Sequence, residues 1–279
     1  MGKLLLTALL AAFALAPSPG PADRSGSAAD RPEPAAADPF GADLRARIGR
    51  AQAYADSRPG VTGIVLRDRS TGAVYRSPAA GTLIWACSTP KLAMAVDLLE
   101  REDAKAVTLT AEDRDLLHRM LHSSDDDAAH ALWTRFGGEA EFGRRFPAYG
   151  MTDMRFSDRH PHHWGWIRTT ANDLDRLIGY VLAGRHRDHL AGELRTVDPN
   201  QQWGVWGAGA AARPGNKNGW SDDNDDGSWI MNSVGFAGPG ERYTLALMND
   251  TRVVSGGDAV GRETTTKIAE ILFGGYFHT

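Results

Sequence analysis

Cys87-Ser88-Thr89-Pro90-Lys91 is the stretch best suited to covalent chemistry. Pro90 ahead of an Ala/Leu-rich run marks a helix start, since proline is tolerated in a first turn. Ser88 and Lys91 are three apart, so on that helix they share a face and can come within hydrogen-bond reach. A serine hydroxyl is a weak nucleophile until a neighbouring base takes its proton. A lysine can be that base once burial or nearby positive charge lowers its pKa. The unsatisfied N–H groups of the helix start would meet a developing oxyanion. Taken alone, the spacing is common and reads equally as a capped helix with a surface lysine. Two downstream stretches change the weighting: His122-Ser123-Ser124-Asp125-Asp126-Asp127-Ala128-Ala129, and Asn216-Lys217-Asn218-Gly219-Trp220.

Elements to position these groups are visible on either side. Residues 42–55 have helical spacing, with Leu44, Ile48 and Ala51 on one stripe. Residues 63–68 and 73–76 around Gly72 read as a β-hairpin, and 229–236 and 243–248 around Gly238-Pro239-Gly240 as a second. Asp258 to Phe273 reads as a closing helix, and 90–100, 111–122, 126–136 and 171–183 as helices between the hairpins. Strands at both ends with helices between them predict an α+β fold. One antiparallel sheet is completed by both terminal segments, flanked by helices, beside an inserted helical lobe. The seam between sheet and lobe is the expected place for a site.

The order S-x-x-K, S-D-x, K-x-G resembles the signature of class A β-lactamases and serine penicillin-binding proteins. Ala128-Ala129 follows the second motif as in that family, Phe136-Gly137-Gly138 falls where it has a Gly-Gly, and Thr169-Thr170 precedes a helix as its Thr-rich segment does. The resemblance runs from about Ala42 to Phe273. It implies a β-lactamase/transpeptidase-like fold over 41–279 and an acyl-enzyme at Ser88, with Lys91 helping to remove the proton. It implies that Ser124 relays a proton to the leaving nitrogen and that Lys217 places positive charge beside Ser124 and the substrate carboxylate. The backbone N–H groups of Ser88 and Trp220 would form the oxyanion hole. Asp126, Asn218 and Gly219 would border the substrate, a small molecule or a peptidoglycan-like peptide. The resemblance implies neither cofactor nor metal, and a monomer.

The sequence departs from that family in three places. Asp126 stands where S-D-N has asparagine; an ionised carboxylate accepts hydrogen bonds but cannot donate them. If close, it would also hold Lys91 protonated. Asn218 replaces the threonine of K-T-G, and Asn218-Gly219 also suits a hairpin turn. Class A β-lactamases activate the hydrolytic water with an omega-loop glutamate, followed three positions later by asparagine. The corresponding residues 156–168 hold no glutamate, leaving Asp158 or a histidine as substitutes. An acyl-enzyme that turns over slowly is therefore expected, as in a penicillin-binding protein. A true class A β-lactamase and a non-catalytic binding module that keeps the fold are the alternatives.

Other clusters read as structural. His118 and His122, and His160, His162 and His163, lack the ligand sets of a zinc site. Asp222 to Gly227 begins like a calcium loop but has Ser233 at the twelfth position, so it reads as a solvated hairpin tip. Trp203, Trp206, Trp220 and Trp229 suit a cleft or a core equally. With 31 basic and 35 acidic residues among 279, the net charge of −4 offers no cationic excess for nucleic acid. Lys3 precedes a 13-residue apolar run, Leu4 to Ala16, too short for the roughly 20 residues of a membrane span. It suits the h-region of a secretory signal peptide over 1–16, with an Ala/Pro/Ser/Asp linker over 17–40. No membrane span is expected after processing, and the protein is expected to be secreted or held at the cell envelope. The one cysteine, Cys87, leaves no internal disulfide.

Overall fold

Alternation along the first hairpin sets the architecture. The computed structural model describes residues 38–277 apart from 159 and 161. Helix α1 (Gly41–Asp56) leads into strands β1 (Val61–Asp68) and β2 (Val74–Arg76), paired antiparallel with Val65 opposite Arg76. Ile64 and Leu66 turn to one face of the sheet and Val65 to the other, as a period of two requires. After the short β3 (Ile84–Trp85), the helical lobe begins with α2 (Pro90–Asp103), α3 (Ala111–His122) and α4 (Asp126–Arg135). Strands β4 (Arg155–Phe156) and β5 (Ile167–Thr169) pair with β3 in a small sheet ordered β3-β5-β4. Helices α5 (Ala171–Ala183) and α6 (Arg187–Arg195) follow, then β6 (Gly215–Ser221), β7 (Ile230–Ala237), β8 (Tyr243–Asp250) and α7 (Gly257–Phe273). The large antiparallel sheet runs β2-β1-β8-β7-β6, so both terminal segments complete it.

Each face of that sheet has its own apolar cluster. Leu44, Ile48, Ile268 and Phe273 of α1 and α7 close over Ile64, Leu66, Leu245 and Leu247. On the other face α2 and α5 cover Val65, Val234, Ala246 and Met248. Strands β7 and β8 are covered on both sides, which explains why seven or more residues of each are buried in an unbroken run. The helix starts carry local signals. Pro90 opens α2, Thr110 and Asp113 form a capping box on α3, and Asp125 and Thr170 cap α4 and α5 through side-chain oxygens.

Two boundaries differ from expectation. Phe40, assigned to the linker, is buried against the α1/α7 cluster, and Asp38 accepts from its N–H at 2.9 Å, so the packed domain starts before residue 41. The expected signal peptide, and the expected linker up to residue 37, lie outside the described residues. Helix α6 was not expected, because Gly192 and its polar face weaken the apolar period, yet Leu190, Ala191 and Leu194 are buried. Among the described residues, no helix is long and apolar enough to cross a membrane.

The β1/β8 corner carries a pH-dependent contribution to stability. Arg242 and Ser70 donate hydrogen bonds to the buried Asp68 carboxylate and hold its pKa down at about 2, against the desolvation that would raise it. A depressed carboxylate stabilises the fold above its unfolded pKa near 3.8 and loses that contribution as pH falls toward 2. The expected size is about 2 kcal/mol. Thermal melts of wild type and Asp68→Asn between pH 7 and 2.5 check it: the two curves should converge on acidification, and parallel curves would refute the assignment.

Candidate active site

The turn carrying Ser88 is fixed by its carbonyls. Asn232 of β7 donates from Nδ2 to Trp85 O at 2.7 Å, and Thr89 donates its N–H and its hydroxyl to Ala86 O at 3.1 and 2.9 Å. Cys87 takes a left-handed φ of 52°, a conformation that costs a non-glycine residue about 1 kcal/mol and clusters at functional sites. Its thiol is buried and pushed up far out of the titrating range by desolvation, so it is inert. Ser88 is 8% exposed and faces a cavity of about 340 Å³. Its hydroxyl makes no hydrogen bond among the described residues.

Three other side chains, Lys91, Ser124 and Lys217, meet one another. Lys91, in the first turn of α2, is wholly buried. Its Nζ donates to Ser124 O at 2.7 Å, to Ser124 Oγ at 3.3 Å and to Asp126 Oδ1 at 2.5 Å. Lys217, on β6, is equally buried and donates from Nζ to Ser124 Oγ and to Asn218 O, both at 2.8 Å. Two amines therefore fill both lone pairs of the Ser124 oxygen, and its own proton must point elsewhere. Ser124 also holds a left-handed φ, of 60°, in the link between α3 and α4.

Electrostatics divides the two amines. Burial pushes the pKa of Lys91 down; the hydrogen bond and charge of Asp126 pull it back only in part. Lys217 is pushed down further by burial, and Lys91 adds to the effect by repulsion. The direct Ser88–Lys91 hydrogen bond expected from their spacing is not formed. Asp126, at the start of α4 and 75% exposed in its side chain, offers the Lys91 amine a charged partner that a neutral hydroxyl cannot match. Asp126 thus reaches Lys91, the contact that would keep it protonated.

The third motif is a strand and not a turn. Gly219 lies inside β6 opposite Asn232, and a Cβ there would sit 2.7 Å from Ala86 O and 2.8 Å from Ser88 N. Glycine is required by that close approach. Trp220 lines the cavity. Asn218, expected at the substrate, is instead turned into the fold. Its Nδ2 donates to Gln201 O at 2.7 Å and its Oδ1 accepts from Asn216 Nδ2 at 2.6 Å.

The loop that lacks a glutamate presents Trp164 instead. Its ring lies 4.5 Å from Lys91 Nζ. His163 also lines the cavity, but its Nδ1 accepts from Gly165 N–H at 3.0 Å, and burial lowers its pKa, so it is neutral and poorly placed to take a proton. Asp158 borders a separate groove with Phe156 and Arg168. His160 stacks on Trp166 at 3.9 Å, and His162 pairs with Glu139. His118 and His122 stack on one another and take separate carboxylates, Glu193 and Asp198. Among the described residues, no group of three such side chains converges as a metal site would need.

Scanned against protein-family models, the chain matches none. A Mycobacterium tuberculosis protein named "Putative lipoprotein LppW" is 30% identical over 245 residues, covering 83% of this chain and 75% of that protein. Its Mycobacterium bovis counterpart aligns equally well. The chain belongs to the LppW family. Among solved structures, this LppW-family chain superposes on PBP-A with a TM-score of 0.68 at 19% identity, over 84% of this chain and 96% of that one. A β-lactamase from Xanthomonas campestris gives 0.66 at 20%, over 83% and 96%. A PBP-A mutant held as an acyl-enzyme complex with penicillin G gives 0.69 at 20%, over 84% and 97%. The LppW-family fold is that of class A β-lactamases and PBP-A.

Several cavity residues escaped the sequence reading. Asp127 and His130 come from the exposed face of α4, and Asp223 and Asn224 from the loop expected to be a solvated tip. Asn232 reads locally as an ordinary strand residue, and only the register of β7 aims its amide at the Ser88 turn. Asp126, Asp127 and Asp223 line the cavity without any arginine or lysine among the described lining residues.

Proposed function

We propose that the chain is an exported serine acyl hydrolase or acyltransferase of the β-lactamase/penicillin-binding type. Ser88 would attack the carbonyl of a β-lactam or a D-alanyl-peptide-like amide and form an acyl-enzyme. The observation that carries this reading is the convergence of Lys91 and Lys217 on the Ser124 hydroxyl, at 3.3 and 2.8 Å, with Lys91 one turn along from Ser88 at the start of α2. In this reading Lys91 removes the Ser88 proton, Ser124 passes one to the leaving nitrogen, and Lys217 holds Ser124 in place and faces the carboxylate. The N–H groups of Ser88 and Trp220 receive the oxyanion. The missing loop glutamate and the Trp164 ring beside Lys91 favour slow release over the rapid turnover of a true β-lactamase. The relatives' name supports a cell-envelope location, and the apolar run at 4–16 supports export. A lipid on Cys87 does not fit its burial.

A second reading, a binding module without catalysis, is favoured by one contact: the Lys91 amine is held by Asp126 and not by Ser88. Intact-mass spectrometry after incubation with penicillin G separates the two. The hydrolase reading expects an adduct of the full penicillin mass on wild type and none on Ser88→Ala. Wild type without adduct across penicillins, cephalosporins and D-alanyl thioesters supports the binding module.

A further inference from the structure

The geometry points to Asp126 as the general base that activates the deacylating water, a carboxylate supplied by α4 in place of the absent loop glutamate. This inference rests on the acyl-enzyme reading of Ser88. Asp126 lines the same cavity as Ser88, and its side chain is 75% exposed there. Oδ1 is taken by the Lys91 amine at 2.5 Å, while Oδ2 has no partner among the described residues. One oxygen thus anchors the carboxylate and the other is left to meet a water in the cavity. The rival candidates are placed less well. Asp127 and Asp223 line the cavity but make no hydrogen bond to the Lys91 amine, His163 Nδ1 already accepts from Gly165, Asp158 borders another groove, and Arg119 holds the carboxylate of the capping Asp125. A general base must lie within one hydrogen bond of the proton it removes, and Asp126 is the carboxylate bridging the cavity and the buried amine.

The step balances without any further reactant. Water gives a proton to Asp126 Oδ2 as its oxygen bonds to the acyl carbon. The bond from that carbon to Ser88 Oγ then breaks, its electron pair staying on Oγ. Asp126 passes its proton across their contact to the Lys91 amine, left neutral once it has returned a proton to Ser124, and Lys91 Nζ passes one on to Oγ. The products are the free acid and the starting enzyme. Burial, which disfavours the charged ammonium, assists the Lys91 donation.

Asp126→Asn tests this because it keeps the shape of the side chain while removing the carboxylate, and with it both the base and the charged partner of Lys91. The prediction is a split between steps. D126N still forms the penicillin G adduct, while that adduct persists about 100-fold longer by intact-mass time course. In Asp126→Ala, added formate should shorten the adduct lifetime by restoring a carboxylate, a response that a merely structural role would not give. A D126N adduct that decays at the wild-type rate overturns the proposal, as does a D126A adduct indifferent to formate. If D126N fails to acylate while wild type does, Asp126 belongs to the first step and the assignment falls. Wild type that never forms an adduct removes the acyl-enzyme reading itself, a result distinct from all of these.

Discussion

Lys217→Met lowers the rate at which penicillin acylates Ser88 by about 10²- to 10⁴-fold while thermal stability is held or raised. The two halves of that result come from one fact: Lys217 is an amine buried to 1% exposure, with Ser124 Oγ and Asn218 O as its only hydrogen-bond partners among the described residues. Burying an amine costs several kcal/mol, only part of which two neutral acceptors return. A methionine of similar length fills the space without that cost. Chemistry loses what packing does not need, namely the donor that orients the Ser124 hydroxyl and any positive charge near the substrate. Stability by thermal melt and acylation by intact-mass time course should therefore move in opposite directions. A variant that acylates normally would remove Lys217 from the mechanism, and one that unfolds would make it a structural group.

Gly219→Ala is the second large effect, and it acts through backbone. The added Cβ would fall 2.7 Å from Ala86 O, 2.8 Å from Ser88 N and 3.0 Å from Thr89 N. None of these can swing aside as a side chain would. The turn carrying Ser88 must retreat from β6, and in the proposed reading the N–H of Ser88 leaves the oxyanion position it would share with that of Trp220. Loss of one oxyanion donor costs about 10²- to 10³-fold in rate, and overpacking of this kind about 1–3 kcal/mol in stability. Acylation at the wild-type rate in G219A would mean that the N–H pair is not the oxyanion site.

Local signals made most of the fold legible. Pro90, Thr110 and Thr170 mark helix starts, and the alternation through Ile64, Val65 and Leu66 marks a strand between two covered faces. Long-range consequences were harder to read. Asn218-Gly219 suits a turn by local preference, yet pairing of β6 with β7 overrides it, and the Asn218 amide is taken up by Gln201 and Asn216. The order of the three motifs anticipated that Lys91, Ser124 and Lys217 would meet. It could not show that Asp126, 35 residues from Lys91, would take the amine from Ser88, because that choice depends on how α4 sits against α2. Trp164 beside Lys91 was hidden for the same reason: nothing in its neighbours distinguishes a cavity wall from ordinary core.

The central claim is that Ser88 carries the acyl group with its carbonyl oxygen between two backbone N–H groups. A crystal structure of the penicillin-treated protein tests it most directly. The account predicts continuous density from Ser88 Oγ to the penicilloyl carbon, with the carbonyl oxygen about 2.7–3.1 Å from the nitrogens of Ser88 and Trp220. Antibiotic attached elsewhere, or resting intact in the cavity with the Ser88 hydroxyl untouched, would contradict it.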